Sequence, residues 1–158
     1  MKYLVGMGDM AVSSDPQARL ITCALGSCLG IAIYDPVARV GGLLHVMLPD
    51  SGIESGSTNL PYRYVNTGVP LLFRACYELG AARERLIVKV AGGASGHQGA
   101  GDYFQIGKRN FAALRQLLDK NQMPIHAAEI GGSDSRTMML EIGSGNVLLK
   151  INGQTRRL

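Results

Sequence analysis

The sequence contains no tryptophan, three phenylalanines and six tyrosines, which leaves few large rings to stack on bases or sugars. Cysteine is scarce too. Cys23, Cys28 and Cys76 have neither the even count of a disulfide framework nor the C-x-x-C spacing of a zinc site. His45, His97 and His126 lie too far apart to form a local metal motif. No metal or organic cofactor is expected. No segment approaches the roughly 20 apolar residues needed to cross a bilayer. The opening "MKYLVGMGDMAVSS" is broken by Asp9 and lacks the apolar core and cleavage site of a secretion signal. A cytoplasmic protein without membrane insertion is the expectation. Runs of like charge are also missing. Arg83, Arg85 and Lys89, then Lys108 and Arg109, then Arg156 and Arg157 are scattered, so the net charge of +4 reads as a solvated surface, and nucleic acid is not an expected partner.

What is present is a globular composition: 158 residues, 46% hydrophobic and 18% charged, enough for one domain over residues 1–158 with a normal core. "RLITCAL", "LGIAIYDP" and "VGGLLHVMLPD" read as strands, with "DPVAR" as the turn between the second and third. A helix is expected over about 66–79, with Asn66 or Thr67 as cap, Pro70 near its start, and Val69, Leu72, Phe73, Cys76 and Leu79 on one face. "RLIVKVAGG" reads as a strand entering a glycine loop. A second helix runs from about 108 to 120, followed by strands in "IHAAEIGG", "TMMLEIGSG" and "NVLLKIN". Consecutive strands with two to three helices argue for an α+β or mixed α/β fold, a layered sandwich on a mixed β-sheet.

The loop "AGGASGHQGAGDYFQIGKRN" precedes a helix and so invites a phosphate-binding reading. The pattern fails. Gly101 and Gly107 are separated by five residues, not four, Arg109 stands where Ser or Thr would bind magnesium, and Phe104 occupies the third glycine position of the dinucleotide fingerprint. A loop at the rim of a site, over residues 92–107, is the better expectation. "GSCLG" formally matches a nucleophile elbow, but the β-branched "IAIYDP" follows where the elbow needs a helix.

Cys28 and His45 can still meet. If their two segments form an antiparallel hairpin in which paired residue numbers sum to 75, His45 opposes Gly30, and Cys28 lies diagonally across on the same face, roughly 7–8 Å away. A one-residue slip would separate them onto opposite faces. An imidazole so placed favours the reactive thiolate. The residues alone leave two readings open: a nucleophile with its base, or a buried thiol near a core histidine. Cys23 and Cys76 read as fillers.

"TCALGSCLGIAIYDP", "GGLLHVMLPDS", "YRYVNTGVPLL", "KVAGGAS", "IGKRN" and "GNVLLKI", in this order, resemble the CheD family of chemotaxis proteins, the chemoreceptor glutamine deamidases. The resemblance implies a Cys–His deamidase on a layered fold similar to the catalytic domains of deamidating toxins. It assigns the nucleophile to Cys28, the general base to His45 and an orienting hydroxyl to Thr22. Backbone N–H groups around Gly26, Ser27 and Cys28 are then candidates for holding an oxyanion. The chain departs from the family pattern at Ser135, where a glycine is expected before Arg136. Partners implied by the resemblance are the cytoplasmic domains of methyl-accepting chemotaxis receptors and the CheC phosphatase, and hydrolysis of glutamyl methyl esters is also permitted. Two rivals stand beside this reading: a non-catalytic adaptor for the same partners, and a redox sensor using Cys28 with Cys23.

Overall fold

In the computed structural model, which describes residues 1–52, 59–95 and 105–158, the chain runs through β1 (Lys2–Leu4), β2 (Asp9–Ser13), β3 (Arg19–Leu25), β4 (Leu29–Asp35), β5 (Val40–Val46), α1 (Val65–Glu78), β6 (Ile87–Gly92), α2 (Ile106–Lys120), β7 (Ala127–Ile130), β8 (Arg136–Glu141), β9 (Val147–Ile151) and β10 (Gln154–Arg157). The strands form two five-stranded mixed sheets among the described residues. An outer sheet has the order β1-β3-β8-β9-β10, and a central sheet the order β2-β5-β4-β6-β7. Only β1–β3 and β6–β7 are parallel pairs. With two α-helices among the described residues, this is the expected α+β sandwich.

Apolar residues on both faces of β4 and β5 explain the layering. Every residue of these two strands is buried, as in sheets covered on both sides. Alternate residues divide between two cores. Ile31, Ile33, Leu44 and Val46 pack with Val69 and Leu72 of α1 and Leu114 and Leu118 of α2. Ala32 and Leu43 pack instead with Leu20, Leu25, Met138 and Leu140 of the outer sheet. Each large side chain so buried contributes on the order of 1.5–3 kcal/mol relative to an exposed one. The period of two therefore sends His45 toward the outer sheet, between Leu44 and Val46, which face the helices.

The β4–β5 hairpin has the expected register, with Tyr34 opposite Gly41 and Gly30 opposite His45. Its turn is held by Asp35, whose Oδ1 accepts the N–H groups of Val37 and Ala38 at 2.9 and 3.1 Å. Three details differ from the expectations. Helix α1 has Tyr64 as its cap and no side-chain cap bond. Asn66 instead accepts from the Ser51 N–H at 2.9 Å, and the Thr67 hydroxyl donates to the Pro61 carbonyl. Pro70 consequently lies in the second turn, and Leu79 is exposed at the C-terminal end. Strands β1, β2 and β10 were not foreseen. No helix among the described residues is long and apolar enough to cross a membrane.

Candidate active site

Strand β3 begins as a regular alternation, with Leu20 and Thr22 buried. It then carries a bulge, so that two residues of β3 between Thr22 and Leu25, Cys23 and Ala24, stand against one of β8, Thr137, between Met138 and Arg136. Ala24 takes up the extra residue at φ 60°. A bulge of this kind bends the strand and re-aims its side chains. Thr22 and Leu25 both point inward, while Cys23 and Ala24 are exposed. Cys23 is therefore not a core filler. Cys76 is, and burial raises its thiol pKa to about 12.

Thr22 is fully buried and makes two hydrogen bonds, one to the Val5 carbonyl at 2.7 Å and one with His45 Nδ1 at 2.7 Å. A carbonyl oxygen can only accept, so the single hydroxyl proton of Thr22 goes to Val5. The hydroxyl oxygen must then accept from Nδ1–H of His45. The pair of bonds thus selects one tautomer, with the proton on Nδ1 and a bare lone pair on Nε2. Nε2 is buried and has no hydrogen-bond partner among the described residues.

Cys28 immediately precedes β4. Continuing the ladder one pair past Leu29–Val46 sets it opposite Met47, diagonal to His45 on the face turned toward the outer sheet, where its half-buried side chain joins the inter-sheet core. The backbone around it is anchored from three sides. Its carbonyl accepts from Gly93 N–H at 2.9 Å, and the Gly26 carbonyl accepts from Ala94 N–H at 2.8 Å. Asn110 Nδ2 donates to the Ser27 carbonyl at 2.9 Å. Gly92 has to be glycine: its φ is +115°, and a Cβ there would lie 2.2 Å from the Cys28 carbonyl oxygen.

Burial dominates the electrostatics. It pushes the His45 imidazole down from 6.5 to about 4. It also raises the Cys28 thiol, a rise moderated by the residue's own backbone N–H. Both effects disfavour charge, so the resting pair is neutral thiol and neutral imidazole. This weighs against the expected standing thiolate.

Thr22 and His45 are in direct contact, and Cys28 lies one diagonal step from His45 on the same face of the hairpin. Gly26 and Ser27 lie beside them in different roles. The Gly26 N–H is spent on the Ala24 carbonyl at 3.0 Å, so it is no free donor. The Ser27 N–H has no acceptor among the described residues, and the Cys28 N–H faces its own sulfur. Most of the glycine loop expected at the rim lies outside the described residues, and His126 is remote, accepting from Val88 N–H. Sequence reasoning missed Val5, Asn110 and Arg136. Ser135 is exposed, as a loop residue should be, but Arg136 is buried and bonds to the carbonyls of Gly92 and Gly131. Among the described residues no three of His, Cys, Asp and Glu gather as metal ligands.

A half-buried thiol on the same hairpin face as a histidine whose tautomer is fixed, between the sheets of an α+β sandwich, has the groups that a cysteine–histidine acyl-transfer site uses. The family model described as "CheD chemotactic sensory transduction" matches residues 47–151. The chain is 44% identical over 151 residues to the probable chemoreceptor glutamine deamidase CheD 1 of Syntrophus aciditrophicus (strain SB), covering 95% of this chain and 94% of that protein. It is 46% identical over 159 residues to the probable chemoreceptor glutamine deamidase CheD of Solibacter usitatus (strain Ellin6076), covering 99% and 93%. Among solved structures, the Neisseria meningitidis protein NMB0706 aligns at a TM-score of 0.46 and 9% identity, covering 82% of this chain and 63% of that one. The chain belongs to the CheD family.

Proposed function

We propose that this protein is a cysteine-dependent protein-glutamine deamidase that converts glutamines of chemoreceptor cytoplasmic domains to glutamate, adjusting receptors during chemotactic adaptation. The names of its relatives support the substrate. The observation that carries the chemistry is the Val5–Thr22–His45 chain of hydrogen bonds, because it leaves Nε2 as a base on the same face as Cys28.

The reaction begins as the Cys28 thiol passes its proton to His45 Nε2 while sulfur bonds to the glutamine carboxamide carbon. The carbonyl π electrons move to oxygen, and the resulting oxyanion is held by the N–H groups of Ser27 and Cys28. As the oxyanion collapses, the C–N bond breaks, and the departing nitrogen takes the proton from Nε2 and leaves as ammonia. His45 next removes a proton from water, whose oxygen adds to the thioester carbon. The C–S bond breaks, sulfur recovers its proton from Nε2, and glutamate remains. No step calls on a metal or organic cofactor. The same acyl chemistry would accept a glutamyl methyl ester, with methanol leaving in place of ammonia. The CheC phosphatase is the proposed regulatory partner, competing with receptors, and the cytoplasm the proposed location.

Mass spectrometry of receptor cytoplasmic fragments incubated with wild type and with Cys28→Ala tests the reading. The expected result is a glutamine-to-glutamate mass shift with wild type alone. Binding of the receptor by both proteins with no shift from either would replace the enzyme with an adaptor.

A further inference from the structure

The motif "IGKRN" opens α2, and the catalytic steps above give it no role. Gly107, in the first turn, is packed backbone to backbone. A Cβ on it would lie 2.4 Å from the Ala94 carbonyl oxygen and 2.6 Å from that of Gly93, so no other residue lets the helix come so close. Gly93 and Ala94 are the residues that hold the Cys28 and Gly26 carbonyls. Three residues along the same helical face, Asn110 is completely buried. Its Nδ2 donates to the Ser27 carbonyl at 2.9 Å and to the Met47 carbonyl at 3.1 Å. Two carbonyls facing one amide group fix its orientation, since the reverse would set Oδ1 against both of them.

Oδ1 is buried and has no hydrogen-bond partner among the described residues. Burying an unpaired carbonyl costs stability, and an apolar residue would seat the helix without that cost. The useful part of Asn110 is therefore its pair of donors, and their targets are specific. The Ser27 carbonyl belongs to the peptide unit whose other end is the Cys28 N–H. In a planar trans peptide these two groups point in opposite directions, so gripping the carbonyl from the α2 side aims the N–H away from α2. Met47 continues the strand that carries His45, opposite Cys28. One side chain thus ties the nucleophile's peptide to the base's strand.

We infer that Asn110 is a positioning residue for the deamidation proposed above: it fixes the Ser27–Cys28 peptide plane so that the Cys28 N–H is preset to receive the oxyanion. The inference rests on that functional reading. It separates two reactions of the same thiol. Acyl transfer from glutamine needs the oxyanion donor, whereas alkylation of Cys28 by iodoacetamide forms no oxyanion.

The test compares wild type, Asn110→Ala and Asn110→Asp, the last keeping the shape but not the two donors. Receptor deamidation gives kcat and KM, and peptide-resolved mass spectrometry gives the Cys28 alkylation rate. The expected result is a kcat lower by about 10- to 100-fold, with KM and alkylation changed by less than about threefold. Deamidation retained within about twofold in both variants overturns the inference. So does alkylation that changes in parallel with kcat, because that marks a general loosening of the site. A wild type that deamidates no receptor overturns the functional reading itself and the inference with it. A measurement on unaltered protein covers variants that fail to fold. Both Nδ2 protons of Asn110 should exchange slowly with solvent, and exchange as fast as that of the exposed Asn152 rules the clamp out.

Discussion

Acid should destabilise this protein through His45 before it reaches the carboxylates that hold the fold. Burial depresses the imidazole from its ordinary 6.5 to about 4, while in the unfolded chain it regains the ordinary value. Between these two pH values the unfolded state holds a proton that the folded state does not. Stability therefore falls as pH drops through this window, at about 1.4 kcal/mol per pH unit. Over the whole window from 6.5 to about 4, the loss comes to about 3 kcal/mol. The contribution is intact above pH 6.5 and gone at the lower limit. Against typical domain stabilities of about 5–15 kcal/mol, that is a large fraction. Asp35 does not interfere. Burial opposes its charge, but the Arg85 guanidinium and three backbone N–H groups outweigh burial and hold the carboxyl below the usual range, so its stabilisation is lost only below pH 3.8.

Urea unfolding of wild type and His45→Gln at about pH 7, 5.5 and 4.5 measures this directly. The wild type should lose stability steadily across the series, and the neutral variant should lose less by most of that 3 kcal/mol. Parallel losses in the two proteins would refute the reasoning, since His45 would then be protonated while folded. Ultraviolet absorbance of the thiolate completes the case. A difference spectrum of wild type against Cys28→Ala should carry no thiolate band at neutral pH, and a clear band would mean that the resting pair is ionic after all.

Thr22→Val keeps the shape but leaves the Val5 carbonyl and His45 Nδ1–H unsatisfied. It should cost about 2–4 kcal/mol in stability and lower kcat about tenfold or more at unchanged KM, with Thr22→Ser restoring both; steady-state deamidation and urea titration read the two effects. Gly92→Ala combines positive φ with direct overlap on the Cys28 carbonyl, so it should destabilise by more than about 3 kcal/mol and abolish deamidation, as thermal melting and activity would record. Alkylation followed by peptide mass spectrometry should label exposed Cys23 first and half-buried Cys28 more slowly. Buried Cys76 should be labelled only on unfolding.

The central hairpin was legible because local chemistry determines it. Asp35-Pro36 makes the turn, a period of two sorts the side chains, and the pairing of Gly30 with His45 follows. The fate of Cys23 was not legible. A regular strand would have kept the alternation past Thr22, and the bulge at Ala24 that exposes Cys23 depends on pairing with β8, over a hundred residues away. Strands β1, β2 and β10 are short and have no fully buried residue, so no periodic apolar signal marks them. Asn110 was passed over for a related reason. A polar residue on a helix reads as solvent-facing unless its tertiary partners are known, and both of them are carbonyls more than sixty residues away.

These failures have a common cause in the way the site is assembled. The central sheet carries Cys28 and His45, which local sequence can bring together. The outer sheet, through Thr22 and Val5, determines which nitrogen of the imidazole is basic. Helix α2, through Asn110, holds the Ser27–Cys28 peptide from the opposite side. The proposed catalytic pair is thus encoded within about twenty residues, while the groups that set its tautomer and its backbone plane arrive from both flanking layers. A change in either flanking layer that leaves Cys28 and His45 untouched should therefore still impair the proposed turnover, and should do so through kcat, because it alters the orientation of the pair and not the substrate-binding surface.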